Sequence, residues 1–165
     1  MPTRSLARRA WRDRGGYSLI ELLAVTVVLL VLASAVMPLA KVTVQRAREA
    51  ELRRALRELR TAIDRYKDAA DLQQIAATDL KAGAEGYPPT LEVLVEGVRA
   101  NGDASGRKLK FLRRVPMDPM TRTFEWGMRS YQDDRDTTSW GGQNVYDVYT
   151  KSGGTALDGT KYVDW

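Results

Sequence analysis

Arg14-Gly15-Gly16-Tyr17-Ser18-Leu19-Ile20-Glu21-Leu22-Leu23 opens an apolar run that continues almost unbroken to Ala40. From Leu19 to Ala40 there are 22 residues and one charge, Glu21. A helix rising about 1.5 Å per residue over that length crosses a hydrocarbon core of roughly 30 Å. A carboxylate three residues into a membrane helix is costly, and such residues are functional by default, with a partner expected. Cleavage between Gly16 and Tyr17 would create that partner. Tyr17 would become a cationic N-terminus, and Glu21, the fifth residue of the shortened chain, could neutralise the same amine on a neighbouring copy.

The first 16 residues carry Arg4, Arg8, Arg9, Arg12 and Arg14 against a single acid, Asp13. Basic residues beside a span stay cytoplasmic, which places everything after Ala40 on the far side of the membrane. The whole chain has a formal charge of +5, with 26 basic and 21 acidic residues. Removing residues 1–16 takes away +4 and leaves +1. The basic balance is therefore an orientation signal, and no nucleic-acid partner is expected. An ordinary secretory signal peptide is the rival account, since Ala33-Ser34-Ala35 fits small-x-small cleavage. Against it stand Glu21, inside what should be an apolar core, and the continuation of the run past Ala35.

Residues 14–21 resemble the processing site of type IV pilins and type II secretion pseudopilins. The resemblance implies that a membrane-embedded prepilin peptidase cuts after Gly16 and methylates the amine of Tyr17, a residue where the family usually has Phe. It also implies assembly through Glu21 and a helix kink at Pro38, about six turns into the mature helix. Pro38 is the only helix breaker between Leu19 and Asp68 and should kink or locally melt the helix.

Beyond Ala40, Leu52, Ala55, Leu56, Leu59, Ala62, Ile63 and Tyr66 recur at spacings of three and four, one stripe of an amphipathic helix over 41–70. Glu49 and Arg53 have the spacing of a helical ion pair. Residues 71–106 read as a linker and a short helix. Gly83 and Gly86 break the pattern, Tyr87-Pro88-Pro89-Thr90 forms a turn with a cap at Thr90, and Leu91, Leu94, Val95 and Val98 make one or two turns. Residues 97–106 read as a polar loop. Residues 107–165 read as β, with strands near Lys108–Leu112, Phe124–Ser130 and Val145–Thr150, and with Trp126, Tyr146 and Tyr149 as packing residues. The predicted fold is α+β and pilin-like: a long N-terminal helix, half transmembrane and half amphipathic, packed on a small antiparallel sheet. The predicted divisions are a cleaved leader (1–16), a transmembrane and assembly helix (17–40) and a periplasmic domain (41–165).

The soluble part extends the resemblance. Gly86-Tyr87-Pro88-Pro89, Phe111-Leu112-Arg113-Arg114-Val115-Pro116-Met117-Asp118-Pro119, Tyr146-Asp147-Val148-Tyr149 and a glycine-rich loop ending in Asp164-Trp165 are similar in order to the G-type major pseudopilin. That likeness implies a structural subunit of a periplasmic pseudopilus, anchored in the inner membrane, in type II protein secretion. The implied partners are other copies of the chain, prepilin peptidase, minor pseudopilins and the inner-membrane assembly platform. A type IV pilus subunit shares the N-terminal features, and a single-span domain that does not polymerise is the plainest alternative. The family binds calcium in its C-terminal loop. Here Asp158 could match one ligand, but Gly153 or Gly154 stands where an earlier acid is expected, and Lys151 opposes a cation. Asp158-Gly159 read as a turn is the competing account. A second acidic candidate, Asp133-Asp134-Asp136, reads as a solvated loop. No enzymatic role is expected: the chain lacks His and Cys and has no glycine-rich phosphate loop.

Overall fold

The computed structural model describes residues 16–103, 105–134 and 137–165. Of the expected leader, residues 1–15 lie outside that set. The chain divides into two compact units, Met1–Lys41 and Val42–Trp165. Helix α1 runs Leu19–Asp71.

In the second unit the predicted stripe is the core. Leu52, Leu59 and Ile63 are fully buried, and Ala55, Leu56, Ala62 and Tyr66 nearly so. The 3.6-residue repeat puts these side chains on one face, where burial stabilises each large one by about 1.5–3 kcal/mol. Against that face pack Leu91 and Leu94 of helix α2 (Leu91–Glu96), together with Val98, Leu112, Trp126, Val145 and Val148. Thr90 occupies the N-cap position of α2 in extended backbone, as expected, but its side chain makes no capping bond. Gly97 ends the helix at φ 80°, donating its N–H to the Val93 carbonyl at 2.9 Å. A side chain at Gly97 would also meet the Leu109 carbonyl oxygen at 2.7 Å, so glycine is required twice over.

The β-region forms two separate two-stranded antiparallel sheets rather than one. Strand β1 (Val98–Arg99) pairs with β2 (Lys108–Leu109), so the stretch expected to be wholly polar loop begins as a strand, and Val98 belongs to it rather than to α2. Strand β3 (Gly127–Arg129) pairs with β4 (Asp147–Tyr149), with Gly127 opposite Tyr149. A Cβ at Gly127 would sit 2.3 Å from the Tyr149 ring. Pairs this short are marginal alone and depend on packing against α1. Trp126 and Tyr149 are buried as expected, but Tyr146 is 47% exposed and is not a core residue. Tyr146 precedes β4, and its ring packs on Tyr87 and Tyr131 at the surface instead of entering the core.

Residues 71–86 neither extend α1 nor form a second α-helix. Gln73 takes φ 54°, a short 3-10 turn covers Ala77–Asp79, and Gly83 and Gly86 have positive φ. The stretch is fastened to β1 by a bridge between Ile75 and Ala100 and by the Ala76 N–H to the Arg99 carbonyl, 2.9 Å.

Candidate assembly site

Residues 16–18 are non-helical and exposed, and helix α1 starts at Leu19. Gly16 has open space around its Cα, and Tyr17 is 76% exposed. The Gly16–Tyr17 bond therefore lies in accessible, non-helical backbone, as a peptidase requires. The Ser18 carbonyl accepts the first helical bond, from Leu22 N–H at 3.0 Å, which makes Ser18 the N-cap residue. Glu21 falls in the first turn. Ser18-Leu19-Ile20-Glu21 thus has capping-box spacing, and a carboxylate there also opposes the positive end of the helix dipole.

Beyond that turn the helix is apolar on all sides. Leu19, Ile20, Leu22, Leu23, Val25 and every residue from Val27 to Leu32 are more than half exposed. A helix with no polar face is stable only when covered by lipid or by other protein. Its two hydroxyls are satisfied on its own backbone: Thr26 Oγ1 donates to the Leu22 carbonyl and Ser34 Oγ to the Val31 carbonyl, each at 2.7 Å. That economy suits surroundings without water. Among the described residues, no helix is long and apolar enough to cross a membrane. The 22-residue span expected from the sequence includes positions 35–39, whose side chains lie outside the described set, as does the side chain of Pro38 and hence the expected kink. The backbone at position 38 is helical, not melted.

Residues 11–37 match the family model of the prokaryotic N-terminal methylation motif. The chain is prepilin-like at its N-terminus. The match contains Gly16, Tyr17 and Glu21 and ends before the amphipathic half of α1. Comparison with curated proteins and with solved structures finds no match.

At the other end of the chain, the C-terminal loop closes on α1 through side chains that helical periodicity alone did not single out. Glu49 Oε1 accepts from the Leu157 N–H at 2.9 Å, from the Tyr162 hydroxyl at 2.9 Å and from Gln45 Nε2 at 3.2 Å. Gln45 Nε2 also donates to the Thr155 carbonyl and to Tyr162 Oη. Arg60 donates to Asp147 Oδ1 at 2.7 Å and to the Trp165 carbonyl at 2.8 Å. Glu49 is thus not the partner of Arg53. Arg53 turns to Asp158, 3.4 Å away, and lies 4.1 Å over the Trp165 ring. The sequence held one signal for this cluster: Gln45, Glu49, Leu52 and Leu56 continue the buried stripe toward the N-terminus at spacings of four, three and four.

The donor set around Asp158 does not fit calcium. Asp158 Oδ1 accepts from the Thr160 N–H (3.0 Å) and Oγ1 (2.6 Å), and the neighbour of Oδ2 is a guanidinium, not a second carboxylate. The Thr160 bonds foremost, and also Arg53, hold its carboxyl below the usual range. Gly159 takes φ 87°, so Asp158-Gly159 is the turn of a small hairpin closed by Ala156 and Thr160. Lys151 points to Glu125 at 3.5 Å. Asp133 Oδ2 accepts the Ser130 and Gly141 N–H groups at 2.7 and 3.0 Å and acts as a loop staple, while Asp136 lies outside the described residues. Among the described residues, no group of three or more acids, His or Cys is placed to hold a metal ion.

Proposed function

We propose that the chain is a structural subunit of a periplasmic pseudopilus in type II protein secretion. Prepilin peptidase cuts after Gly16, Tyr17 becomes the N-methylated end, and residues 17–40 anchor the subunit in the inner membrane before packing helix against helix in the fibre. One observation carries the proposal: a helix whose exposed surface from Leu19 to Leu32 is apolar on all faces except for Thr26, bonded to its own backbone, and a single charge, Glu21, in its first turn. In lipid an unpaired Glu21 costs several kcal/mol. Pairing with the Tyr17 amine of the next copy removes that cost and favours the polymer. The secretion role is supported by the order of the soluble motifs. Two of them meet in space, where the Val145 N–H donates to the Pro88 carbonyl at 2.8 Å, joining the Tyr-Pro-Pro turn to the segment that leads into β4.

Intact-mass analysis of protein isolated from cells should give a chain beginning at methylated Tyr17. A chain beginning at Met1 refutes processing and leaves a tethered domain, and one beginning at Val36 identifies a signal peptide. Glu21→Ala should be processed and inserted normally, while fibre yield falls more than tenfold; wild-type yields refute the pairing. Deleting the gene should stop export of folded proteins to the medium and spare surface pili. The opposite pattern assigns the chain to a type IV pilus.

A further inference from the structure

Two regions of the unit Val42–Trp165 gather side chains of complementary chemistry at the surface. The first is a groove of about 700 Å3 between α1 and the segment after β2. Arg54, Arg57 and Arg65 line one wall, and Lys110 and Arg113 the other. None of these five cations enters an ion pair among the described residues. Glu58 is the one acid in the groove. Such a concentration of cations stands out in a chain whose cleaved form is nearly neutral.

The second region is a tyrosine cluster. Tyr87, Tyr131 and Tyr146 pack with ring centres 5.2–5.9 Å apart, yet Tyr131 is 58% and Tyr146 47% exposed. Lys67, paired with Asp71, lies 5.6 Å from the Tyr87 ring centre. Burial foremost raises the Tyr87 phenol, and among the neighbouring charges Asp64 adds to the effect. Glu85 precedes Gly86, where a Cβ would lie 3.3 Å from Lys67 Nζ. The region is therefore aromatic and, with Asp64, Asp71 and Glu85 against Lys67, net acidic.

On α1 the mean directions of the tyrosine-region residues (64, 67, 71) and the groove residues (54, 57, 65) differ by about 100°, with Arg57 and Asp64 adjoining on one face. A contact that seats one patch of a copy on the other patch of the next is heterologous, the kind that can propagate into an open helical polymer. Their chemistry is complementary: guanidinium groups bind carboxylates and stack on tyrosine rings, and Arg and Tyr are the residues enriched at interface centres. The chain already uses this pairing internally, with the Arg129 guanidinium 4.3 Å over the Tyr149 ring.

We propose that the arginine groove of one copy receives the Tyr131–Tyr146 patch and the Asp64 and Glu85 carboxylates of the next copy. This contact presupposes the filament proposed above and adds a second, polar interface outside the apolar helix. The chain has no cysteine, so cross-linking can be placed at will. In membranes bearing assembled full-length protein, oxidation of the double variant Arg57→Cys, Tyr131→Cys should give a ladder of dimers, trimers and larger species. Mixed Arg57→Cys and Tyr131→Cys copies should give dimers only. Wild-type polymer without a ladder overturns the interface and leaves the filament standing; absence of wild-type polymer overturns both. Arg57→Glu with Arg65→Glu should cut polymer yield at least tenfold, and adding Asp64→Lys with Glu85→Lys should restore it. Unchanged polymer in the charge-reversed variant overturns the proposal.

Discussion

Tyr66 and Asp118 are both buried, and they enter the stability balance with opposite signs. The Tyr66 ring meets Phe111 edge-on, centres 5.2 Å apart, but its hydroxyl has no hydrogen-bond partner among the described residues. Asp118 is fully buried and satisfied: its carboxylate accepts the Met120 N–H at 2.8 Å and the Thr150 hydroxyl, which ties the Met117–Pro119 turn to the end of β4. Removing a buried group that lacks a partner relieves a desolvation penalty, whereas removing one partner of a satisfied pair creates one. Tyr66→Phe should therefore leave stability unchanged or raise it by about 1 kcal/mol, read from chemical denaturation. A loss of more than about 1 kcal/mol would mean that the hydroxyl has a partner in solution. Helical spacing placed Tyr66 in the core from the sequence. Whether its oxygen finds a partner depends on the segments that pack over it, which spacing does not report.

At the scale of elements, the stretch 71–86 shows where reading from pattern stops. Its apolar residues are too sparse to set a helical or strand period, and it takes its shape from β1. Asp79 accepts the Arg99 N–H at 2.8 Å and the Arg99 Nε at 3.0 Å. These bonds foremost bring its carboxyl down to about 2 from 3.8. A carboxyl lowered on folding adds stability above its unfolded value, and that stability is lost as pH falls toward the folded value. The contribution should thus be complete above about pH 4 and fade toward pH 2. Arg99 is 57% exposed, so solvent screening limits the effect to about 1 kcal/mol. Asp79→Asn should lower stability at pH 7 and flatten the acid limb of the pH–stability curve between 4 and 2; an unchanged limb would show that the pair does not persist in solution.

At the scale of the molecule, the unit Val42–Trp165 has no disulfide, and the donor set of its C-terminal loop does not suit calcium. The loop is held instead by Gln45, Glu49 and Arg60 reaching out from α1. Adding millimolar calcium, or a chelator, should leave the melting temperature of the full-length protein unchanged, while Glu49→Gln should lower stability by about 1–2 kcal/mol through loss of charge-assisted bonds. A rise in melting temperature with calcium would restore the metal account. The amino-acid sequence determined the long helix, its apolar and amphipathic halves, the buried stripe from Leu52 to Tyr66 and the N-terminal methylation motif. Each of these is a local property: side-chain spacing along one helix, or residue types within one short window. Only the tertiary structure decided that the β-region splits into two sheets, that Tyr146 faces outward, and that Glu49 binds Leu157 and Tyr162 in place of Arg53. Those outcomes join residues up to 113 positions apart. A contact of that kind is selected by which surfaces remain to be covered once the helix has buried its stripe, and no window of sequence contains that competition.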